Sequence, residues 1–406
     1  MTKSIVIIGF RSGEHGFEYA RKGGLSVIFL SSMISEEEAM EADIPVELDL
    51  NDEETVVAKV SSLATKFAIQ GVFTLNEYRI PLAARIAEAL GLSRGLSYEA
   101  ALNCRHKQRT RALLAAHKVG SPAFCTVKMP AEALGALRDM PCPVVVKPSN
   151  DAGSNQVIKC ETPDEVWDAV TAIGRQSTNW VGQPRNPEIL IEEYLDGPEF
   201  SVESCTSQGV TTVIAITQKT LDAEPSTTEI QHLVPAPIQP KVHAQIAETV
   251  SQALTALGVD NAVTHTEIRL TAGGPKIVEV NARPGGDKIP VLVRTTTGVD
   301  LHELSMHLSL GESYETYPRG EGTAGAAAIR FFTAPKAGVI RYRVVANSDG
   351  STRLLDLSWY MRSGDTVPRT TSNYNRLGHC LIAGDSAPLV IEAIDAVERD
   401  IALTVE

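Results

Sequence analysis

The stretch THTEIRLTAGGPKIVEVNARPGGD, residues 264–287, decides the reading of this chain. Residues 264–270 and 276–280 read as two strands joined by the turn segment Thr271-Ala-Gly-Gly-Pro275, the pattern of a β-hairpin. Taken as symmetric about Gly273, the hairpin sets Glu267 opposite Glu279, with Cβ atoms roughly 4.5–5.5 Å apart. Facing carboxylates repel and weaken a sheet. A hard cation such as Mg2+, which takes carboxylate oxygens together with substrate phosphates, removes the conflict. Asn281 and Arg283 follow at period two and share the face of Glu279. Two carboxylates, an amide and a guanidinium on one surface suit Mg-ATP and a developing acyl phosphate. The same residues also read as ordinary charges on a solvated hairpin, and a one-residue register slip would part the carboxylates.

Upstream, Val144-Val-Val-Lys147 reads as a buried strand ending in a lysine, followed by a turn-rich segment over 148–156. Backbone N–H groups around Gly153 and Ser154 can face phosphates while Lys147 supplies a point charge. The plain alternative is a lysine at a strand end beside a turn. Residues 188–203 run as a strand, break at Gly197-Pro198 and then alternate. The break frees backbone groups able to read the edge of a flat base; an edge strand with solvated glutamates is the alternative. The turn between Gly9 and Gly16 follows a strand and opens a helix, but its glycine spacing misses G-x-G-x-x-G. It reads as a tight βα turn, not a dinucleotide site.

The first hundred residues alternate strands (4–9, 25–30, 72–75) with helices (15–22, 53–67, 81–90), which predicts a parallel, doubly wound sheet. A single basic helix is expected over 97–116, a mobile surface loop over 176–187 and a long amphipathic helix over 241–257. From Gly322 the chain reads as β-rich, closed by a helix over 389–401. A length of 406 residues allows two to four structural units. The net charge of −13 argues against nucleic acid or an anionic membrane as partner. No apolar run reaches the length of a membrane span, and the N-terminus reads as a first strand instead of a signal peptide. Six scattered cysteines without a C-x-x-C pair argue against zinc or a disulfide framework and suit a reducing cytoplasm. Neither H-E-x-x-H nor G-x-S-x-G occurs.

In this order and spacing, the pieces resemble the ATP-grasp superfamily over most of the chain. Lys107, in Cys104-Arg-His-Lys-Gln-x-x-Arg111, is similar to its first ATP lysine, and Lys147 to its second. Asp151-Ala-Gly153-Ser154 resembles its mobile glycine-rich loop. Glu192, Glu193 and Leu195 resemble the linker whose backbone holds adenine, and Glu199 the later glutamate that holds ribose. Glu267, Glu279 and Asn281 resemble its magnesium ligands, and Arg283-Pro-Gly285-Gly286-Asp287 the segment that cradles the reacting carboxylate.

The resemblance implies an ATP-grasp fold, α/β and α+β. An N-terminal doubly wound parallel-sheet domain would span 1–100 and a small mobile lid subdomain with a linking helix 101–190. A catalytic domain with a β-rich extension would span 191–406. It implies ATP and Mg2+ as cofactors, with Mn2+ able to substitute, and Lys147, Arg283 and Gly286 as catalytic residues.

A closer likeness, to the bacterial L-amino-acid (dipeptide) ligases, rests on four further pieces. These are Asn76-Glu77 before Leu82-Ala-Ala, Thr217-x-Lys219, Glu229-Ile-Gln-His232-Leu-Val-Pro235 and Ala327-Ala-Ile-Arg330-Phe-Phe. It implies that Glu77, Glu229, His232, Arg283, Gly285 and Asp287 meet the substrates. The implied reaction joins a carboxylate, an amino acid or its derivative, to an amino acid through an acyl phosphate, releasing ADP and phosphate. The partners would be small-molecule acids and amines in the cytoplasm, with no nucleic acid and no membrane; homodimerisation is left open. Three departures stand out: His106 replaces an acidic residue, Gln156 a second loop glycine, and Gln231 a glycine common in the amino-acid ligases. Purine-pathway or carboxylating ATP-grasp ligases share the nucleotide pattern, and so would a non-catalytic nucleotide-binding module. The sequence specifies neither the acid and amine nor the group that deprotonates the amine.

Overall fold

The computed structural model describes residues 2–9, 16–92, 94–222, 228–343 and 352–406. The first strand, Lys3–Ile8, pairs in parallel with Ser26–Ser31 on one side and Ala68–Phe73 on the other, and Ile44–Glu47 completes the sheet. Alternate residues feed two separate cores. Val6, Ile8, Ile28 and Leu30 pack with the helices Glu53–Ala64 and Ile80–Ala89, while Ile5, Ile7, Val27 and Phe29 pack with Phe17, Ala20 and Met306. A strand buried on both faces needs apolar residues at every position, which is how this sheet was legible. Most of the turn at Gly9–Gly16 lies outside the described residues.

The single helix expected over 97–116 is two helices, Tyr98–Arg105 and Lys107–Ala116. His106 between them is extended, at φ −99° and ψ 102°. Two contacts hold the break: Lys107 N donates to Ser149 O at 2.9 Å, and Thr110 Oγ1 donates to Asn103 O at 2.6 Å. Lys107 therefore opens a helix instead of lying inside one.

Strands Phe124–Val127, Ile189–Glu193, Val144–Pro148 and Ile158–Cys160 form an antiparallel sheet in that order, packed against the helices Pro130–Ala136 and Pro163–Gly174. The larger sheet has eight strands among the described residues. Gly274–Asn281 lies at one edge, then Ala262–Thr271, Glu199–Ser207, Val210–Leu221, Glu229–Val234 and Ala326–Phe332, with Gly378–Gly384 and Thr352–Trp359 at the far edge. The helix Pro240–Leu257 covers one face, Ile289–Thr297 and Leu301–Ser309 another part, and Ala387–Ile401 the C-terminal end. The cavity described next lies between these two antiparallel sheets, with residues of both in its wall.

The deciding hairpin has the pairing expected, for a different reason. Its turn is the two-residue Ala272-Gly273, with Thr271 opposite Gly274 and Ile268 opposite Ile277. Continued regularly, that register would set Glu267 against Val278. A bulge at Val278 inserts one residue, so that Glu267 faces Glu279 and His265 faces Asn281. The Val278 carbonyl accepts from Arg111 NH2 at 2.6 Å, which ties the bulge to the second of the two short helices.

Candidate active site

A cavity of about 360 Å3 separates the two antiparallel sheets. Its wall includes Lys107, Lys147, Asp151, Ser154, Glu192, Glu193, Leu195, Glu199, Glu229, Glu267 and Glu279, all anticipated from sequence apart from the role of Asp151. The charged groups are paired across elements. Lys107 Nζ meets Glu279 Oε1 at 2.8 Å and donates to Asp151 O at 2.7 Å. Lys147 Nζ meets Glu192 Oε2 at 2.7 Å, and Arg111 Nε meets the other oxygen of the same carboxylate at 2.7 Å. Burial pushes the Glu192 carboxyl up, but Arg111 and Lys147 outweigh it and hold it below the usual range. Glu192 is 3% exposed. Its side chain is thus an internal strut between the strand Ile189–Glu193 and the helix Lys107–Ala116, and only its backbone is left to face a ligand.

Lys219, of Thr217-x-Lys219, is the centre of the cluster, a role its sequence context does not reveal. Its ammonium lies 2.6 Å from Glu267, 2.9 Å from Glu229 and 3.7 Å from Glu199. Burial would lower its proton affinity, yet Glu229, Glu267 and Glu199 hold it well above the ordinary lysine value. Glu199 also meets Arg269 at 3.0 Å. Burial is the main reason its carboxyl is raised.

On the first strand of the hairpin, His265 Nδ1 donates to Glu203 Oε1 of the neighbouring strand at 2.5 Å, and its Nε2 lies 3.4 Å from Glu267 Oε1. Burial lowers the His265 imidazole, but Glu203 above all pushes it up to about 9, so it is a cation at neutral pH. Gly285 N donates to Glu203 Oε2 at 3.3 Å. A Cβ on Gly285 would fall 2.7 Å from His265 Nδ1. Gly285→Ala must therefore displace a buried ion pair, and overpacking of this kind costs roughly 1–3 kcal/mol. The expected result is a melting temperature lowered by a few degrees and a turnover lowered about tenfold. Thermal unfolding and steady-state rates check it, and a variant identical to wild type in both would show that the turn yields freely.

The polar segment around Glu229 and His232 is not a surface loop. It is the strand Glu229–Val234, inside the large sheet between Val210–Leu221 and Ala326–Phe332. His232 is fully buried. Its Nε2 lies 3.3 Å from Glu229 and 3.5 Å from Asp287. Asp287, at φ +51°, is gripped by Arg376 NH2 at 2.7 Å, and Arg376 lies 3.7 Å from the centroid of the Phe331 ring. Burial would raise the Glu229 and Asp287 carboxyls. Lys219 and then His232 outweigh it at Glu229, and His232 and Arg376 at Asp287, so both are held far below the usual range. Arg283 Nε meets Glu77 Oε2, itself buried, at 2.9 Å. A Cβ on Gly286 would meet nothing, so there is space beside it, and its carbonyl accepts from Ile289 N at 2.9 Å.

Of the expected residues, His232 and Asp287 belong to a second cluster, which joins the cavity through Glu229, while Glu77 and Arg283 form an ion pair of their own. Sequence reasoning assigned no role to Arg111, Arg376, Glu203, His265 or Arg269. Arg111 had a usable signal, since it lies four residues after Lys107 on one helix face. Arg376 had none, being tied to Asp287 across 89 positions.

Comparison with known proteins gives this arrangement its class. Family models match over three segments: an ATP-grasp domain over 140–291, an ATP-grasp N-terminal domain over 17–93, and an L-amino acid ligase C-terminal domain 2 over 330–406. The chain belongs to the ATP-grasp superfamily of ATP-dependent carbon–nitrogen ligases. Within it, the C-terminal segment 330–406 is similar to that of the L-amino acid ligases. An uncharacterized protein, y4rH, of Sinorhizobium fredii is 26% identical over 87% of this chain and 73% of its own length. The alanine–anticapsin ligase of Bacillus subtilis is 26% identical over 66% of this chain, and the match spans 60% of that ligase, less than two thirds of its length. The crystal structure of an L-amino acid ligase from Bacillus licheniformis has the same fold, with a TM-score of 0.78, 24% identity, and coverage of 100% of this chain and 98% of that one. Among the described residues no helix is long and apolar enough to cross a membrane.

Proposed function

We propose that the chain joins a carboxylate to the amine of an amino acid through an acyl phosphate, using ATP and releasing ADP and phosphate. The observation that carries the reading is the adjacency of two clusters. Lys107, Lys147, Glu267 and Glu279 line one cavity, and Glu229, shared through Lys219, joins it to His232 and Asp287.

The two opposed, half-buried carboxylates and the Asn281 amide two residues on are the oxygen donor set a small hard cation takes, so the residues fit Mg2+. When bound there, Mg2+ would neutralise phosphate charge. Lys107 and Lys147 would meet the phosphates, and the backbone of Gly153 and Ser154 would cover them. The linker backbone at Glu193 and Leu195 would hold the base, and Glu199 the ribose. A carboxylate oxygen of the acid attacks the γ-phosphorus and ADP leaves. The amine nitrogen, having shed its proton, then attacks the acyl carbon and phosphate leaves. Arg283, oriented by Glu77, would hold the acyl phosphate, with the N–H group of Gly286 beside it.

The ionised carboxylates of Glu229 and Asp287 suit the ammonium group of an amino acid. Glu229→Gln keeps the side chain's reach and removes its charge. Loss of one charge-assisted contact, about 1.5–3 kcal/mol, is expected to raise the KM for the amino substrate about tenfold to a hundredfold. The KM for ATP should stay within about twofold. Equal, small changes in both would detach Glu229 from the amino site.

The reaction itself is tested by screening ADP and phosphate release with Mg-ATP and amino acids, singly and in pairs. Stoichiometric ADP, phosphate and a dipeptide are expected. Release of AMP and pyrophosphate in a complete reaction would refute the mechanism.

A further inference from the structure

Segment Asn373–Asn375 is a single turn of 3-10 helix that sequence reading left unassigned. It is rigidly built: the Asn375 side chain accepts from Thr371 N at 3.1 Å and Ser372 N at 3.0 Å, and donates to Arg369 O at 3.0 Å. It also braces the amino-substrate cluster from behind. Asn373 Oδ1 accepts from Glu229 N at 2.9 Å, and Arg376, which grips Asp287, donates from Nε to Asn373 O at 2.8 Å.

From this turn Tyr374 reaches the phosphate loop. Gly153, at φ +68°, has the Tyr374 hydroxyl so close that any Cβ there would collide with it. The Tyr374 ring stacks on Trp180, with centroids 6.2 Å apart and planes 11° from parallel. Trp180 belongs to the loop over 176–187, which is pinned at several points. Asn51 Nδ2 donates to Val181 O at 3.1 Å, Gln183 Nε2 to Tyr78 O at 3.2 Å, and Asn150 Nδ2 to Pro184 O at 3.1 Å, while Arg185 pairs with Asp151. With the loop that carries Trp180, the aromatic pair thus links Asn51 and Tyr78, the phosphate loop and the turn behind Glu229 and Asp287. Both rings are nonetheless 75% exposed, so core packing does not explain them.

We propose that Tyr374 and Trp180 form a clasp that holds the phosphate loop closed over the acyl phosphate, so that the amine and not water takes the acyl group. The inference rests on the function proposed above. In the side reaction that the clasp suppresses, a water oxygen attacks the acyl carbon and phosphate leaves. The carboxylate is regenerated, and one ATP is lost without amide formation.

The clasp is tested first without reference to product, by hydrogen exchange of peptides covering 151–156 in the intact protein. Tyr374→Ala and Trp180→Ala are each expected to speed exchange there several-fold, and the double variant no more than either single one. Tyr374→Phe keeps the stack and should fall between wild type and Tyr374→Ala. Unchanged exchange in both alanine variants overturns the clasp. The second measurement is amide formed per ADP released, expected near one in the wild type and several-fold lower in both alanine variants. A wild-type amide yield with an unaltered ratio in the variants overturns the water-excluding role. If exchange responds but no amino-acid pair yields an amide, the proposed reaction fails while the loop contact stands.

Discussion

Glu279→Gln is expected to lower turnover by about 10²- to 10³-fold, the scale seen when one group aimed at developing charge is removed. The substitution keeps the shape of the side chain and its place opposite Glu267. The amide oxygen can still accept from Lys107, and Lys107 keeps its second contact, to Asp151 O at 2.7 Å. The fold should therefore persist, with a melting temperature close to wild type. The lost charge is one of the two that would neutralise a cation between the strands, so the Mg2+ concentration for half-maximal rate should rise together with the fall in kcat. Steady-state rates across a magnesium titration check both. A near-normal rate with unaltered magnesium dependence would move the metal site away from the hairpin.

The hairpin shows how far local sequence carries. Two strands, a glycine turn and a pair of opposed glutamates were legible because strand periodicity is a short-range property. The bulge was not, because it depends on Arg111 gripping the Val278 carbonyl from a helix 167 positions away. The pairing came out as read because the assumed centre at Gly273 and the inserted residue at Val278 shift the register by the same amount. The break at His106 was hidden for a similar reason: it is held by Lys107 N donating to Ser149 O, 42 positions on. Glu229–Val234 was harder still. A strand carrying Glu, Gln and His looks like a surface segment until Lys219, Asp287 and Arg376 are beside it. The residues that line the cavity were legible because their order resembles that of the ATP-grasp superfamily. The side chains that hold those residues were not, because each is a partner chosen by the fold.

Those partners explain how a site so rich in charge folds without its ligands. Lys107 is paired with Glu279, Lys147 with Glu192, and Lys219 with Glu267. Burying any of these six groups alone would be expensive. On the proposed reading, a magnesium–phosphate unit enters as a matched pair of opposite charges. The cation takes the carboxylates, the phosphates take the lysines, and no step leaves a buried charge bare.

Lys219→Met removes the cation shared by three of the carboxylates and so should have the broadest effect. Methionine matches the length of the stem but leaves Glu199, Glu229 and Glu267 facing one another with no central charge. Breaking a buried pair by deleting one partner costs about 3–5 kcal/mol, and turnover should fall by at least about 10²-fold because the metal cluster and the amino cluster lose their common anchor. The pH dependence gives the sharper test. In the wild type Lys219 holds the Glu229 and Glu267 carboxyls far below 4.5. A depressed carboxylate contributes stability that is fully present above its unfolded value and lost only as pH falls through the folded one. Without Lys219 that depression is largely gone, and mutual repulsion with burial pushes the same carboxyls up. The variant then recovers stability as they take up protons. The melting-temperature deficit of the variant should therefore be larger near pH 8 than near pH 5, measured without ATP or Mg2+. A deficit that stays constant across that range would mean that Lys219 acts through packing of its stem and not through its charge.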